Sequence, residues 1–597
     1  MKIKRIITSP ECIAFIISLI IQILWNQFVP IMRSLPDEVG AISFAAYLNG
    51  MDWSNVLSNP SMYYGNGMFF LLYPFFLVIK DPFILYQCLL GVCAFLRATV
   101  AIISVYISKK YFYISNKYYL ICIGLISSLF SPTRSTIVDN EALLIVLTWG
   151  VTLSLFKLID SKNPKEKRNW TIFLSFLSSY AYIAHNRGIL YIISIILVIL
   201  IYYIYKKEWL IDLKWFFISI VICFIGANVY IKHIKNLIFY SEATITTRNT
   251  IGGVVSSVNS NISTLFTKVG LRSFLDLLCS NLWVTFVFSY GILYIGIFNL
   301  ISYLIRLIKK IMLNDKSSDE INIVFLFSLF GVLISIIGLC ISELHNGTTV
   351  HINGSNITRF HFYMRYYGNY FGPLILFVLC NLYKKKIKYH YFANLFICLS
   401  CIIYVYCSIL YKVVVSNEHY IITDWFYFFA PFSLRFGYWP DVLQGRGYFI
   451  ASSIISIIIF TLIVLLAKHG NKKILITLIA CIVIWYNFYL TIFYDSPFSK
   501  SDNYLESVNG IAQYLKDHEN ITHKNIAYIN NNFGNQYVVQ FVSKTNRVTW
   551  YESFDSIKKN EMKNYDYILS NNSISELKKL KYKEIELDNN EYLYTLY

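Results

Sequence analysis

The amino-acid sequence predicts a polytopic α-helical membrane protein with about 13 transmembrane helices and a small C-terminal α/β domain. The membrane part follows from composition: of 597 residues, 56% are hydrophobic and only 14% are charged. A soluble globular chain does not reach this balance. The second domain is predicted from a change in sequence pattern after residue 498, where helix-like and strand-like segments replace the long apolar runs. We therefore expect domains over 1–498 and 499–597.

The positive charge of the chain belongs to the membrane part. The net charge is +18, yet residues 495–597 hold only 12 of the 52 Lys and Arg, against 14 of the 34 Asp and Glu. Because no soluble segment carries the basic excess, we expect no nucleic-acid partner. Twenty-five of the other 40 basic residues cluster in seven short connectors, at 1–10, 108–117, 157–169, 205–214, 306–318, 383–389 and 467–473.

The seven connectors predict the orientation of the chain. Short loops rich in Lys and Arg stay in the cytoplasm, and the residues between successive connectors suffice for two crossings each. The protein is then a multi-pass protein of the cytoplasmic (plasma) membrane with its N-terminus inside. Asp37, Glu38 and everything after Asp495 lie outside.

The apolar runs give the individual spans. The first runs from Ile13 to Ile31, and Val39–Ser61 is an external loop with one or two short interfacial helices. Met68–Ile79 is short and contains Pro74, which favours a re-entrant or interfacial helix over a span. Further spans are predicted at 83–107, 118–130, 142–158, on both sides of 184–188, and at 215–231, with later external loops at 232–276, 343–362 and 412–448.

The C-terminal segment predicts a small α/β fold. A helix is expected over Asp502–His518 and another near Ile574–Leu580. Since all twelve cysteines precede Asp495, this domain folds without disulfides. It holds no glycine-rich phosphate loop, so we interpret it as a docking or acceptor-positioning cap rather than a second catalytic centre. Strands are predicted at 526–529, 537–541, 547–551, 565–569, 584–587 and 592–596.

The predicted outer face collects acidic and basic side chains from four loops. Carboxylates can take the proton of an attacking hydroxyl, and arginines can hold a leaving phosphate through paired hydrogen bonds. The set therefore suits a transfer reaction from a phosphate-bearing donor, and it comprises Asp37, Glu38, Asp139, Glu141, His185, Arg187, Arg359, His361 and Arg365. Arg97 lies deep in the second span, where a structural pair and a lipid-phosphate role are both open.

Several of these features together resemble the GT-C superfamily of membrane glycosyltransferases. They are an acidic pair opening the first external loop, the segment Tyr63-Tyr64-Gly65-Asn66-Gly67 before Pro74, and a late Arg365-Tyr366 followed by Pro373. The arrangement is most similar to the protein O-mannosyltransferase and lipid A aminoarabinose transferase group. The likeness covers the membrane part, whereas the loop over 232–276 and the C-terminal segment match no member.

The resemblance implies the reaction and the roles of the residues. A sugar would pass from a polyprenyl-phosphate donor to an extracytoplasmic acceptor, either a cell-envelope glycan, a lipid or a protein. Asp37 or Glu38 would be the catalytic base and Asp139 a second catalytic acid. With the charged residues named before the resemblance, the candidate substrate-binding residues are Glu141, His185, Arg187, Arg359, His361, Arg365, Tyr366 and Arg97.

Other functions stay open at this stage. A polysaccharide polymerase or ligase also has many spans and external arginines, but it does not need the acidic pair. A lipid-linked glycan transporter or flippase would place its polar groups near the bilayer midplane. A divalent cation, Mg²⁺ or Mn²⁺, could bridge Asp37 or Glu38 to a phosphate, although the sequence does not require one.

Overall fold

The computed structural model describes residues 7–32, 36–57, 65–132, 136–238, 261–313, 315, 320–344, 359–410, 446–490, 510–511, 514–515, 517–518, 523–530, 535–557, 561–587 and 591–596. For residues 36, 359–360, 446–448 and 489–490 it describes the backbone alone. The predicted loops over 343–362 and 412–448, the helix over Asp502–His518, and Tyr63-Tyr64 lie largely or wholly outside the described residues.

The N-terminal part is a bundle of helices. In chain order these are α1 (Pro10–Asn26), α2 (Pro36–Leu48), α3 (Ser54–Leu57), α4 (Phe69–Val78), α5 (Pro82–Tyr111), α6 (Lys117–Leu129), α7 (Asn140–Asp160), α8 (Pro164–Ala184), α9 (Ile189–Lys206), α10 (Leu213–Ile238), α11 (Lys268–Ser289), α12 (Ile292–Met312), α13 (Ile321–Ser342), α14 (Phe371–Tyr383), α15 (Tyr391–Val405), α16 (Arg446–His469) and α17 (Lys472–Leu490).

Within the described residues, nine helices are long and apolar enough to cross a membrane, namely α5, α7, α9, α10, α11, α12, α13, α15 and α16. The shorter apolar helices α1, α6 and α14 pack among them, as do α8 and α17. The chain is thus a multi-pass membrane protein of the predicted class.

The first helix is shorter than the predicted span Ile13–Ile31. It ends at Asn26, and the chain continues in turns closed by backbone hydrogen bonds from Phe28 to Trp25 and from Val29 to Asn26. Pro30 explains the difference, because proline cannot continue a helix and restricts the residue before it. The turns bring the chain to the start of α2.

The region between α1 and α5, which is the predicted first external region, contains the short helices that the sequence predicts. It holds the two short helices α2 and α3, and α4 covers the segment predicted to be re-entrant or interfacial. The N-terminal half of α2 therefore carries Asp37 and Glu38, where the partial positive charge of a helix N-terminus stabilises carboxylates.

The seven basic connectors lie together. Side chains of one connector contact the next, or a residue beside it, so that all seven belong to one end of the bundle. The contacts pair Lys109 with Glu11, Lys110 with Asp160, Lys167 with the Trp209 carbonyl, Lys206 with Glu320, Lys384 with the Phe112 ring and Lys472 with the Tyr383 ring. This clustering is the arrangement that the charge pattern predicts.

Helix α11 begins at the end of the bundle opposite the connectors. Near its start Arg272 donates to the carbonyl of Ser408, and its middle contacts Tyr367 through the Asn281 carbonyl. Near its end Phe288 packs on Phe130 with ring centroids 4.8 Å apart. All three partners lie at or beyond helix ends remote from the connectors.

Two details of this region differ from the prediction. The external loop expected to reach Asp276 ends earlier, since α11 begins at Lys268. The helical segment between this loop and the connector over 306–318 is broken, because Tyr290 and Gly291 both adopt the left-handed conformation, with φ of 47° and 72°. A Cβ at Gly291 would lie 2.5 Å from the Phe460 ring, so the turn requires glycine.

The clustered connectors make orientation testable. We expect a reporter fused after residue 597 to behave as extracytoplasmic, because the chain ends on the side opposite the connectors. A fusion within 467–473 should behave as cytoplasmic and serves as the control. Alkaline phosphatase and green fluorescent protein fusions measure the two states. A cytoplasmic signal after residue 597 would overturn the assignment of sides.

The C-terminal part forms a five-stranded sheet of β1 (Asn525–Ile529), β2 (Arg547–Tyr551), β3 (Tyr567–Ser570), β4 (Lys583–Leu587) and β5 (Glu591–Thr595). The strand order is β2-β1-β3-β5-β4. Strand β1 is parallel to both β2 and β3, whereas β5 is antiparallel to β3 and β4. The helices α18 (Asn535–Ser543) and α19 (Ser575–Lys579) also belong to this domain, and the described residues 510–511, 514–515 and 517 are helical as well. The predicted small α/β fold is confirmed.

One predicted strand is wrong. The segment 537–541 belongs to α18, and all residues of that helix are buried. The apolar, β-branched run Tyr537–Phe541 resembles a strand, but β1 and β2 are parallel neighbours. A parallel pair needs a crossover connection, usually a helix, so topology overrides the local preference.

The C-terminal domain rests on the first external region. The Trp53 indole donates to the Lys544 carbonyl at 3.0 Å, and the Asn55 amide donates to Thr549 Oγ1 at 2.9 Å. The Phe541 ring lies 6.0 Å from the rings of both Trp53 and Tyr86, edge to face. The domain therefore packs against the segment that follows α2, the helix that carries the acidic pair, and against the start of α5.

Candidate active site

Four short turns at one end of the bundle supply the candidate site. Asp37 lies in the first turn of α2, and Asp139 is the residue before α7. Asp139 caps that helix, since its Oδ1 accepts a hydrogen bond from the Glu141 N–H at 3.1 Å. Glu141 thus lies in the first turn of α7. The two carboxylates of this segment are fixed by the start of a membrane helix.

The third turn joins α8 and α9. It is a single 3₁₀ turn, Asn186–Gly188, which His185 caps by accepting from the Arg187 N–H at 3.2 Å. Gly188 allows the tight return of the chain, because a Cβ there would lie 2.1 Å from the Ala181 carbonyl carbon. The turn presents Arg187 toward α7.

The fourth turn carries the arginine at the centre of the site. Arg365 lies in the 3₁₀ turn Met364–Tyr366 before α14. Its Nη1 pairs with Asp37, its Nε lies 3.1 Å from Glu141 Oε1, and its Nη2 lies 3.6 Å from Asp139 Oδ2. One guanidinium therefore draws together three carboxylates that are remote in sequence.

Arg187 extends this network. Its Nη2 pairs with Glu141, and its Nη1 donates to the Arg365 carbonyl at 2.9 Å. The guanidinium also lies 4.5 Å from the centre of the Tyr366 ring, within the range of a cation–π contact. Arg187 thereby fixes both the backbone and the flanking aromatic of the Arg365 turn.

Asp37 and Glu38 occupy different environments despite being adjacent. The Asp37 side chain is 17% exposed, whereas Glu38 is fully buried. Glu38 Oε1 accepts from the Tyr86 hydroxyl at 2.6 Å and from the Val138 N–H at 3.0 Å. Glu38 therefore ties α2 to α5 and to the segment before Asp139.

The remaining predicted site residues are Arg97, His361 and Arg359. Arg97 is buried at 2% exposure in α5 and interacts electrostatically with Asp139 and Glu141, so it faces the site rather than lipid. His361 is also buried, and its ring lies 6.5 Å from the Phe362 ring. The side chain of Arg359 lies outside the described residues.

Burial and charge set the protonation of the site. Burial raises the pKa of Asp139 to about 6, against the opposing effect of Arg365. Burial and the charges of Arg187 and Arg365 hold the pKa of His185 well below its ordinary value, so its imidazole is neutral. Burial disfavours the charged form of Arg365, but Asp37 and the other anionic neighbours outweigh it and raise its pKa well above the ordinary value.

The re-entrant segment lines the same end of the bundle. The Asn140 amide donates to the Gly65 carbonyl at 2.9 Å, and the Tyr180 hydroxyl donates to the Gly67 carbonyl. Both glycines abut Ala184, since a Cβ at Gly65 would lie 2.0 Å from its carbonyl oxygen. The segment is thus held against the turn that carries Arg187.

Sequence reasoning missed three polar partners of the site: Tyr86, Tyr180 and Asn140. The two tyrosines lie within apolar helices, where aromatic residues usually pack without a polar role. Asn140 lies between two carboxylates, and a neutral amide there gives no signal of its own. In no case does the local pattern reveal the partner, because each contact joins segments at least 48 positions apart.

Comparisons with protein-family models and with curated proteins find no match. Among solved structures, the crystal structure of ArnT from Cupriavidus metallidurans bound to undecaprenyl phosphate is similar, with a TM-score of 0.50 and 10% sequence identity. The match covers 98% of this chain and 97% of that chain. The chain has a GT-C fold. The structure of the same ArnT in the apo state matches with a TM-score of 0.47, at the same identity and coverage.

The GT-C fold confirms the fold class that the acidic pair, the re-entrant segment and the Arg365-Tyr366 motif indicated. Because the match covers nearly the whole of both chains, it includes the C-terminal domain, for which the sequence suggested no relative. At 10% identity the likeness concerns the fold. The roles of individual residues in the GT-C fold of this chain therefore rest on their own geometry.

Proposed function

We propose that the protein is an integral-membrane glycosyltransferase that moves a sugar from a polyprenyl-phosphate donor to an acceptor outside the cytoplasm. The observation that carries the proposal is the Arg365 cluster. A partly exposed carboxylate, Asp37, lies beside buried arginines at the end of the bundle remote from the basic connectors. The GT-C fold and the undecaprenyl phosphate bound to ArnT support this class of donor.

Asp37 is the base in this proposal. It is the most exposed of the cluster carboxylates, so an acceptor hydroxyl can reach it. Asp37 takes the hydroxyl proton while the acceptor oxygen bonds to the anomeric carbon of the sugar. The bond from that carbon to the phosphate oxygen breaks, and its electron pair leaves with the lipid phosphate. A single displacement of this kind inverts the anomeric centre.

Arg365 and Arg187 receive the developing charge on the phosphate. Their guanidinium groups are only 14% and 15% exposed, and electrostatic interactions are stronger in such surroundings than in water. Arg365 is held on three sides by carboxylates, so its position is fixed before the donor arrives. The phosphate shares Arg365 with Asp37, which keeps base and leaving group within reach of one side chain.

Glu38 is the anchor of the acidic pair and not the base. Its hydrogen bonds to Tyr86 and to the Val138 N–H hold the start of α2 against α5, and it is fully buried. A buried carboxylate engaged in this way cannot meet an acceptor hydroxyl without breaking both bonds. Its role is to fix the position of Asp37.

The residues do not form a ready cation site. No group of three or more His, Cys, Asp or Glu side chains in the described part of the chain could hold a metal ion. Of the two carboxylates that the sequence suggests as metal ligands, Asp37 pairs with Arg365 and Glu38 accepts from Tyr86. A guanidinium thus occupies the place between the carboxylates, and no step of the proposed reaction passes through a cation.

Transport fits the arrangement less well. A transporter binds its substrate near the bilayer midplane, between broken helices in repeated halves. Here Asp37, Asp139, Arg187 and Arg365 all lie in turns or first turns at helix ends, and only Arg97 lies within a long helix. The position of the charged groups therefore favours transfer at the membrane surface.

The donor class can be tested with the purified protein. We expect turnover of polyprenyl-phosphate sugars and none of nucleotide sugars, because the lipid donor presents its phosphate at the membrane surface where the arginines lie. A panel of undecaprenyl-phosphate hexoses and pentoses, followed by mass spectrometry of the released lipid phosphate, measures this. Turnover of a nucleotide sugar by a protein that ignores every lipid donor would contradict the proposal.

A further inference from the structure

At the connector end, the end of the bundle where the seven basic connectors lie together, two connectors carry lysines without any acidic residue. The connectors 383–389 and 467–473 hold four and three lysines, and neither contains Asp or Glu. Other connectors pair their lysines with carboxylates, as Lys109 does with Glu11 and Lys206 with Glu320. In the part of the chain that the structure describes, no ion pair joins any lysine of these two connectors. This corner of the bundle therefore carries positive charge that no described carboxylate neutralises.

A cavity lies where these two connectors meet. It is lined by two lysines and by four apolar side chains at the adjoining ends of α14, α16 and α17, namely Lys385, Lys472, Leu382, Leu466, Ala467 and Leu475. The cavity encloses about 270 Å³ when its open mouth is counted, less than the roughly 300–1,000 Å³ of pockets that bury a whole small ligand. A ligand would therefore place one group in the cavity and extend out of it.

The two lysines lie on opposite sides of the cavity. The Lys385 Nζ is 3.5 Å from the position that a Cβ would take at Gly470, in the turn between α16 and α17. The Lys472 Nζ is 4.3 Å from the centroid of the Tyr383 ring, at the end of α14. Lys385 is exposed and Lys472 is half-buried, so a ligand can reach both ammonium groups. Lys472 also begins α17, and the partial positive charge of that helix end favours an anion.

An apolar surface continues from the cavity along α16. Leu462 lies one helical turn before Leu466 on the same side of that helix, and its side chain is exposed. Leu465 and Ile474, which adjoin the lining residues in sequence, are exposed as well. Because α16 is long and apolar enough to cross a membrane, exposed leucines on it face lipid chains. The positive mouth of the cavity is thus continuous with a lipid-facing surface.

We propose that this cavity binds the phosphate of an anionic glycerophospholipid from the membrane leaflet at the connector end. The phosphate oxygens accept charge-assisted hydrogen bonds from Lys385 and Lys472. An acyl chain follows Leu466 and Leu462 into the bilayer. Basic pockets between transmembrane helices bind lipid head groups of this kind. The bound lipid joins the ends of α14, α16 and α17.

The surroundings of the two lysines argue against other anionic ligands. A free phosphate or a nucleotide gains nothing from apolar walls and from the exposed leucines beside them. An acidic peptide would need hydrogen-bond partners for its backbone, which the apolar walls do not supply. A polyprenyl phosphate shares the phosphate chemistry, but the cluster proposed to act on that lipid surrounds Arg365, at the opposite end of the bundle.

Lipid binding can be measured on the full-length protein without an assay of transfer. Protein purified in a neutral detergent is titrated with dioleoylphosphatidylglycerol, and native mass spectrometry counts the bound lipids. We expect one tightly retained phosphatidylglycerol and much weaker retention of phosphatidylcholine, whose choline offsets the charge of its phosphate. The double variant Lys385→Gln/Lys472→Gln should weaken the binding of phosphatidylglycerol about tenfold or more, because two charge-assisted contacts are lost.

A matched control removes two exposed lysines from other connectors. Lys165→Gln/Lys309→Gln makes the same change of charge at the connector end and should bind phosphatidylglycerol like the wild type. Ala467→Phe fills the cavity without a change of charge and should also weaken binding. All three variants should keep the melting temperature of the wild type in lipid-free detergent.

Four outcomes would overturn the inference. Equal weakening by the control pair would show general attraction of charge instead of a site. Equal retention of phosphatidylcholine would show that the anionic head group is not recognised. Tighter retention of undecaprenyl phosphate at the same two lysines would assign the cavity to a polyprenyl lipid. Binding of glycerol 3-phosphate as tight as that of phosphatidylglycerol would assign it to a free phosphate.

Discussion

Replacement of Asp37 by asparagine should lower the rate of sugar transfer by about 10²–10⁴-fold. The amide keeps the size and polarity of the side chain but cannot accept the proton of the acceptor hydroxyl. It also removes one of the three negative charges around Arg365, so that guanidinium becomes more available to the donor phosphate. Donor binding should therefore be unchanged or tighter, and the loss should appear in the chemical step. Single-turnover measurements with a preloaded polyprenyl-phosphate sugar separate donor binding from the chemical step.

Two comparisons make this result specific. Glu38→Gln keeps an acceptor oxygen for Tyr86 and the Val138 N–H, so we expect a much smaller loss of transfer. Asp52→Asn alters a carboxylate between α2 and α3 that accepts from the nearby Ser54 N–H, and it should leave the rate unchanged. If Glu38→Gln abolished transfer while Asp37→Asn spared it, the base would be Glu38 and the anchor Asp37.

The sequence was sufficient for the architecture because its signals are local. Runs of apolar residues set the membrane helices, and the basic connectors set their sides. The connectors meet through contacts such as Lys206 with Glu320, which follow once every second loop lies on one side. The strand prediction at Tyr537–Phe541 was wrong because a local signal competed with topology. The β-branched residues there favour a strand, but the parallel pair β1 and β2 requires a crossover helix between them.

The candidate site was only partly predictable for the same reason. The sequence indicates Asp37, Asp139 and Arg365, because charged residues at the ends of membrane helices are candidates for a functional site. That Glu38 serves as an anchor could not be read from the sequence, because its partner Tyr86 is 48 positions away in an apolar helix. Nor could the sequence show that a single guanidinium would meet three carboxylates, since this depends on the packing of α2, α7 and the turn before α14.

Replacement of Arg365 by lysine should reduce transfer roughly 10²–10³-fold, the range found when one donor to a developing negative charge is removed. An ammonium group keeps the charge but is a point donor, so it cannot reach Asp37, Asp139 and Glu141 while also holding a phosphate. Because a cation still faces the carboxylates, folding and membrane insertion should survive. Thermal unfolding and the yield of membrane-inserted protein check this.

An arginine-to-lysine substitution elsewhere in the bundle serves as the control for the loss of transfer in Arg365→Lys. Arg272→Lys alters an arginine at the same end of the bundle whose guanidinium donates to the Ser408 carbonyl. It should transfer like the wild type. If Arg365→Lys retained full transfer, a planar two-pronged contact would not be needed at this position, and the leaving phosphate would have to be held elsewhere. Arg187 would then be the first candidate, because it shares Glu141 with Arg365 and lies against Tyr366.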